Sequence, residues 1–306
     1  MDKLYFGTGG FPHTTKGKRS VITAMERIKE LGLDAMELEF THSVWMKPEV
    51  AQDVNNHRKK LGLELSVHGP YYVNLAAETR PKQHASMSYV IKAAKLGALA
   101  GAHSVTFHPA SYLKRLPEEV YQIVKKNLKD MLKEMKKKKI NINLSPELTG
   151  KKLQFGDLNE LIRLAKELNG LNFCIDFSHK HARSDGKFNS YDEFSEIFED
   201  ILNNLGEKYL KDMHIHVSGI EYTQRGESNH VNLLPTKKAY LNTGLKIDGF
   251  EKLKSFDHRY VKGGADLKWQ ELLKAMRKFQ VAGILTCESP NLEQDALLMK
   301  RYYESL

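Results

Sequence analysis

The chain has 306 residues, with 47 Lys and Arg against 38 Asp and Glu and a formal charge of +9. This length excludes a small disulfide-stapled scaffold and suits one large α/β barrel or two smaller domains, while the charge admits a polyanionic partner without requiring one. Cys174 and Cys287 sit in apolar runs without CxxC spacing, the N-terminus "MDKLYFGTGG" lacks a basic region leading into an apolar one, and no apolar run approaches the ~18 residues that span a bilayer; a thiolate zinc module, a membrane span and a secretory leader are therefore not expected, and the chain is read as a cytoplasmic monomer.

In chain order, short apolar runs of strand type appear at 4–8 (LYFGT), 35–40 (AMELEF), 63–68 (LELSVH), 104–108 (SVTFH), 140–147 (ININLSPE), 172–177 (NFCIDF), 213–218 (MHIHVS) and 283–289 (GILTCES). Between them, segments such as VITAMERIKELG, MSYVIKAAKLGALAG, VYQIVKKNLKDMLKEM and LNELIRLAKELNG repeat apolar residues at steps of three and four, the mark of an amphipathic helix. Glycines in KELGL, KKLGL and KELNGL fall where a helix should end in a left-handed cap. Eight strand–helix units with no Ser/Pro linker predict one TIM (β/α)8 barrel as a single domain over 1–306. The interval after the seventh strand is about twice the usual length, and 233–265, which shows no clear helical period, is read as an insertion in that loop. The lysine run KEMKKKK (133–139) closes the fourth helix and is placed at the bottom of the barrel, where its charge suits the helix C-terminus.

Six consecutive strands, the third to the eighth, close on an acid or an imidazole: His68, His108, Glu147, Asp176 with His179 just beyond, His214, and Glu288. A single strand-end histidine is ordinarily a hydrogen-bonded rim residue, and a single Asp or Glu ordinarily caps the next helix. Six in succession are not explained that way, because a parallel barrel brings all its C-terminal strand ends to one mouth. The set holds no Lys or Arg, so cations must balance its carboxylates, and mixed imidazoles and carboxylates suit Zn²⁺ or a related first-row ion such as Mn²⁺ better than Mg²⁺. His216, His181 and Glu39 lie at or just past strand ends and are read as supporting or rim groups.

The segments SVHGPYYVNLA, FHPAS, SPELTGKKLQFG, CIDFSHKHA, MHIHVS, GESNH and CESPN, in this order and spacing, resemble the endonuclease IV type of apurinic/apyrimidinic endonuclease, within the xylose isomerase-like barrel group. The resemblance implies two to three zinc ions. His68 and His108 would hold the first, Glu147 would bridge to a second completed by Asp176, His214 and Glu288, and His179 and His230 would hold a third. Glu147 and Glu288 would stand at the catalytic centre, where a hydroxide between two metals attacks the DNA backbone 5′ to an abasic or damaged nucleotide. The chain departs from the pattern at the third site, where Ser228-Asn229-His230 replaces Asp-Arg-His; Glu227, Asp257 and His258 are candidates for the missing ligand.

For a double-stranded DNA partner the resemblance points to Tyr71 and Tyr72 as wedges beside the lesion, with Trp45 and Lys47 after the second strand. The 233–265 segment carries seven basic and three acidic residues interleaved with Tyr240, Phe250, Phe256 and Tyr260, which suits a phosphate backbone with exposed bases or, equally, a small folded subdomain. Two rival functions remain: a metal-dependent sugar isomerase or epimerase of the same barrel group, and a binding protein that keeps the barrel without its chemistry.

Overall fold

The structure is a computed structural model that describes residues 1–249 and 265–306. Eight parallel strands form the barrel: β1 (Leu4–Gly9), β2 (Ala35–Glu39), β3 (Glu64–His68), β4 (Ser104–Phe107), β5 (Asn143–Pro146), β6 (Cys174–Asp176), β7 (Met213–Val217) and β8 (Gly283–Cys287). They pair in the order β5-β4-β3-β2-β1-β8-β7-β6, and isolated parallel bridges Leu144↔Leu171 and Glu147↔Cys174 draw the two ends of the sheet together. This is the expected TIM barrel, with each strand within a few residues of its sequence-read position.

Local chemistry sets the element ends. Ser20 and Asp157 open the helices Val21–Glu30 and Leu158–Glu167 with reciprocal capping boxes. Gly62, at φ 65°, closes the helix Pro48–Leu61 in the left-handed region that glycine enters without strain, as KKLGL predicts. The helix Pro117–Lys137 runs out in the lysine-rich segment and returns the chain to the start of β5.

The long interval after β7 is not featureless. It begins with an antiparallel hairpin, Gly219–Thr223 with Gly226–Val231, which stays outside the barrel sheet, and continues into a short helix, Lys237–Asn242. Tyr240 in that helix is buried, its hydroxyl 2.5 Å from Asp295 Oδ1, so it is a packing residue and not a base-stacking one. Phe250, Phe256, Asp257, His258 and Tyr260 lie outside the described residues. Among the described residues no helix is long and apolar enough to cross a membrane.

Candidate metal centre

Every barrel strand delivers a residue to the mouth. Gly9, Glu39, His68 and Asp176 end β1, β2, β3 and β6; His108, Glu147 and Glu288 follow directly on β4, β5 and β8; His216 lies one residue before the end of β7. A cavity of ≈ 500 Å³ opens there, lined by Gly9, Glu39, His68, His108, Glu147 and Glu288 with Tyr71, Lys151, Gln154, His179, Glu227 and His230, while Asp176 and His216 are fully buried behind its wall.

Glu147 is the hub. Its Oε2 lies 3.3 Å from His68 Nε2, and its Oε1 lies 3.4 Å from His108 Nε2, 3.3 Å from His179 Nδ1 and 3.5 Å from His216 Nδ1. Burial alone would raise its pKa, but His108 and His216 hold it well below the usual carboxylate range. The same neighbourhood acts on the rings: burial opposes the charged form of His68 and His179, yet Glu147 for the first and Asp176 with Glu147 for the second push both up to about 10. Burial raises Asp176, and pushes Glu39, at the edge of the cluster, up to about 8.

Backbone carbonyls orient two of the rings. His68 Nδ1 lies 2.8 Å from Gly69 O and His179 Nδ1 3.0 Å from Leu148 O. Assigning the proton to Nδ1 in each leaves Nε2 facing the cavity, the arrangement by which metal-binding histidines are commonly fixed. Asp176 divides its work: Oδ1 accepts the His179 backbone N–H and so opens the helix Phe177–Arg183, while Oδ2 turns to the mouth.

Asp176 Oδ2, Glu147 Oε1 and His216 Nδ1 are buried without a hydrogen-bond partner. Three such atoms converging on one point are the mark of a cation-binding site, since each would otherwise carry an uncompensated desolvation penalty. Among the described residues five groups have ligand atoms mutually close enough for one ion: His68–His108–Glu147, Glu147–Asp176–His216, Asp176–His179–His230 and Glu37–His216–Glu288 around the mouth, and Cys174–His214–His216 deeper in the barrel. The donor set, imidazoles and carboxylates, fits Zn²⁺ or a related ion.

His214 lies deeper than the other strand-end residues, in a group with Cys174 and His216. The strand does not end there but runs to Val217, and the two-residue period points both His214 and His216 into the barrel at different depths. His216 occupies the mouth. His214 sits beneath it, 2.7 Å from Glu37 Oε2 and 2.9 Å from Ser104 Oγ, and is not in contact with Glu147 or Glu288. Burial lowers the His214 pKa, whereas Glu37, which burial would raise, is held well below the carboxylate range by His216 and His214. Glu37 was missed in the sequence; the alternation A-M-E-L-E-F, with charged residues at the interior phase, is the signal that would have found it.

At the third corner, Ser228 is exposed and points to solvent. The hairpin carries a bulge here: Tyr222 pairs with Glu227 but Glu221 with Asn229, so Ser228 is an extra residue. Glu227 and His230 are three positions apart and would lie on opposite faces of a regular strand; the bulge restores them to one face. Glu227 Oε2 is 3.4 Å from His179 Nε2, and His230 Nε2 is 3.3 Å from it. Gly150 makes room, for a Cβ there would fall 2.6 Å from Glu227 Cβ and 2.8 Å from His179 Cδ2.

Of the aromatic candidates, Tyr71 lines the cavity, 57% exposed, with its ring 5.5 Å from that of His68. Tyr72 turns away and packs edge-on against Tyr89 at 5.0 Å. Trp45 donates its indole N–H to Glu39 O and packs on Phe40. Lys47 is exposed at the start of the next helix; neither it nor Trp45 or Tyr72 lines the cavity.

A family model described as a xylose isomerase-like TIM barrel matches residues 25–304. An uncharacterized protein of Methanocaldococcus jannaschii is 38% identical over 303 residues, 99% of this chain and 98% of its own. A protein named probable endonuclease 4, from Mycoplasma genitalium, is 28% identical over 196 residues, which span 63% of this chain and 61% of that protein. Endonuclease IV from Thermus thermophilus superposes with a TM-score of 0.64 at 19% identity over 98% of each chain. A D-tagatose 3-epimerase-like protein superposes with a TM-score of 0.65 at 16% identity, over 98% of this chain and 96% of its own. Both likenesses are of fold. The chain belongs to the xylose isomerase-like TIM barrel family, and its endonuclease 4 relatives bear out the resemblance to the endonuclease IV type read from its motifs.

Proposed function

We propose that the protein is a zinc-dependent endonuclease that cuts the DNA backbone 5′ to an abasic or damaged nucleotide, as a step in base-excision repair. The observation that carries this reading is the number of donors at one mouth: five imidazoles, from His68, His108, His179, His216 and His230, with Glu147, Asp176, Glu288 and Glu227. A single divalent ion with a pair of carboxylates serves proton transfer on a sugar, and does not call for this many ligands.

His68, His108 and Glu147 would hold one ion, Glu147, Asp176, His216 and Glu288 a second, and His179, His230 and Glu227 a third, with Glu227 in the role of the aspartate that Ser228 replaces. When bound, such ions supply Lewis-acid charge to a phosphodiester and lower the pKa of water. The chain's own residues do the rest. Glu147 holds four imidazoles around one point, Asp176 fixes His179 through its backbone N–H, and Tyr71 offers an exposed ring at the rim on which a base or sugar face can pack. Lys151 supplies an exposed positive charge at the same rim for a phosphate. Lys237, Lys238 and Lys246, in the described part of the 233–265 segment that follows β7, would add positive charge for the backbone.

The rival sugar epimerase reading is favoured by one feature, the loss of the third-site aspartate at Ser228. The two are separated by offering the purified protein a duplex with one synthetic abasic site and, in parallel, ketohexoses, each with and without chelator. Chelator-sensitive strand cleavage supports the nuclease; sugar interconversion with intact DNA replaces it with the epimerase.

A further inference from the structure

Below the mouth the barrel interior is polar, where this architecture usually packs Val, Ile and Leu. Glu37, Ser66, Ser104, Ser145, His214 and Thr286 are all fully buried there. A buried carboxylate and imidazole are unfavourable unless each is paired, so their presence calls for a role.

The hydrogen bonds assign one. Ser66 donates its hydroxyl to Glu37 Oε2 at 2.7 Å, and Ser104 Oγ lies 2.9 Å from His214 Nδ1. With Ser104 donating to Nδ1, the proton of His214 sits on Nε2 and is directed to Glu37 Oε2, 2.7 Å away. His214 Nε2 then cannot accept from His216 Nε2, although the two lie 3.2 Å apart. Glu37 Oε1 lies 3.0 Å from His216 Nε2 and is buried with no hydrogen-bond partner of its own, so it is the acceptor open to that N–H. A proton on Nε2 leaves the lone pair of His216 on Nδ1, which is buried 3.3 Å from Glu288 Oε1 and 3.5 Å from Glu147 Oε1.

We propose that Glu37 is a positioning residue of the metal centre: a single carboxylate on β2 takes the Nε2–H of both His214 and His216, and so holds His216 in the tautomer that presents Nδ1 to the ion. This rests on the reading of the mouth as a metal site. Backbone carbonyls play the corresponding part for His68 and His179. For His216 the part falls to a side chain, which substitution can remove.

The test uses the full chain and Zn²⁺ alone, with affinity read by competition against a chromophoric chelator and stoichiometry by elemental analysis. Glu37→Gln is expected to bind Zn²⁺ about 10–100-fold more weakly, with an unchanged number of ions at saturation and partial recovery in Glu37→Asp. Ring ¹⁵N NMR of the zinc-loaded wild-type protein, which needs no variant to fold, should show His216 protonated at Nε2 and ligating through Nδ1. Equal affinity in wild type and Glu37→Gln overturns the proposal, as does a His216 ring ligating through Nε2. Loss of a whole equivalent at saturation in Glu37→Gln also overturns it, since Glu37 would then be a ligand. A wild-type chain that takes up no Zn²⁺ overturns the metal reading itself.

Discussion

Loading this mouth with cations must strip protons from it. In the metal-free protein His68 and His179 are pushed up to about 10, against burial, by Glu147 and by Asp176 with Glu147 respectively. Both rings are therefore charged at pH 7, and a cation can take their place only as the protons leave. At 1.36 kcal/mol per pH unit, deprotonating a group three units below its pKa costs about 4 kcal/mol, or roughly 8 kcal/mol for the pair. The apparent affinity should thus rise about tenfold per pH unit for each proton displaced, and about a hundredfold if both leave together. Competition titrations with Zn²⁺ at pH 6, 7 and 8 give the slope. Calorimetry in buffers of different ionisation enthalpy counts the protons released, with at least two expected, since His216 too, against burial, is raised well above its ordinary value by Cys174, Glu288, Glu37 and Glu147. The sign is opposite for the stability of the metal-free chain. Histidines raised above their ordinary value of 6.5 stabilise the fold fully below pH 6.5, and that contribution is lost as pH rises toward 10. A flat affinity from pH 6 to 8 with no proton released would refute the reasoning, because the imidazoles could not then be the groups that Zn²⁺ engages.

Other consequences follow from the geometry. His216→Ala should lower the number of tightly bound ions by one, while His214→Ala should keep the number, both read by elemental analysis after gel filtration; the reverse pattern would restore His214 as the ligand. Gly150→Ala drives a methyl into Glu227 and His179, so the third ion should be lost first, with a crystal structure of the zinc-loaded variant showing the hairpin displaced. Tyr71→Ala should leave metal content intact and weaken binding to abasic-site DNA by roughly 5–150-fold, the worth of one stacked base at 1–3 kcal/mol, in a fluorescence anisotropy titration. Unchanged DNA affinity would remove Tyr71 from the interface.

Much of the barrel was legible because its two periods are clean. The strands from LYFGT to GILTCES and the glycine at the end of KKLGL fall where the alternation and cap rules put them. The mouth was legible for the same reason, since parallel strands must bring their C-terminal ends together. What the sequence hid was depth. MHIHVS offers two inward histidines, and which of them reaches the mouth depends on how far β7 runs relative to its neighbours, a register set by pairing with β6 and β8. The hairpin was hidden because 219–231 lacks the Asn-Gly or Asp-Gly turn that marks one, and its bulge at Ser228 reveals itself only in the pairing of Glu221 and Tyr222. Tyr240 looked like an aromatic for nucleic acid because its partner, Asp295, is 55 residues away.

The most direct measurement maps the product of the metal-loaded protein on a duplex with one abasic site, at single-nucleotide resolution, beside its metal content. Incision on the 5′ side of the site, abolished by chelator and restored by Zn²⁺, with about three ions per chain, is the predicted result. A protein that carries its full complement of metal and leaves the duplex intact would contradict it.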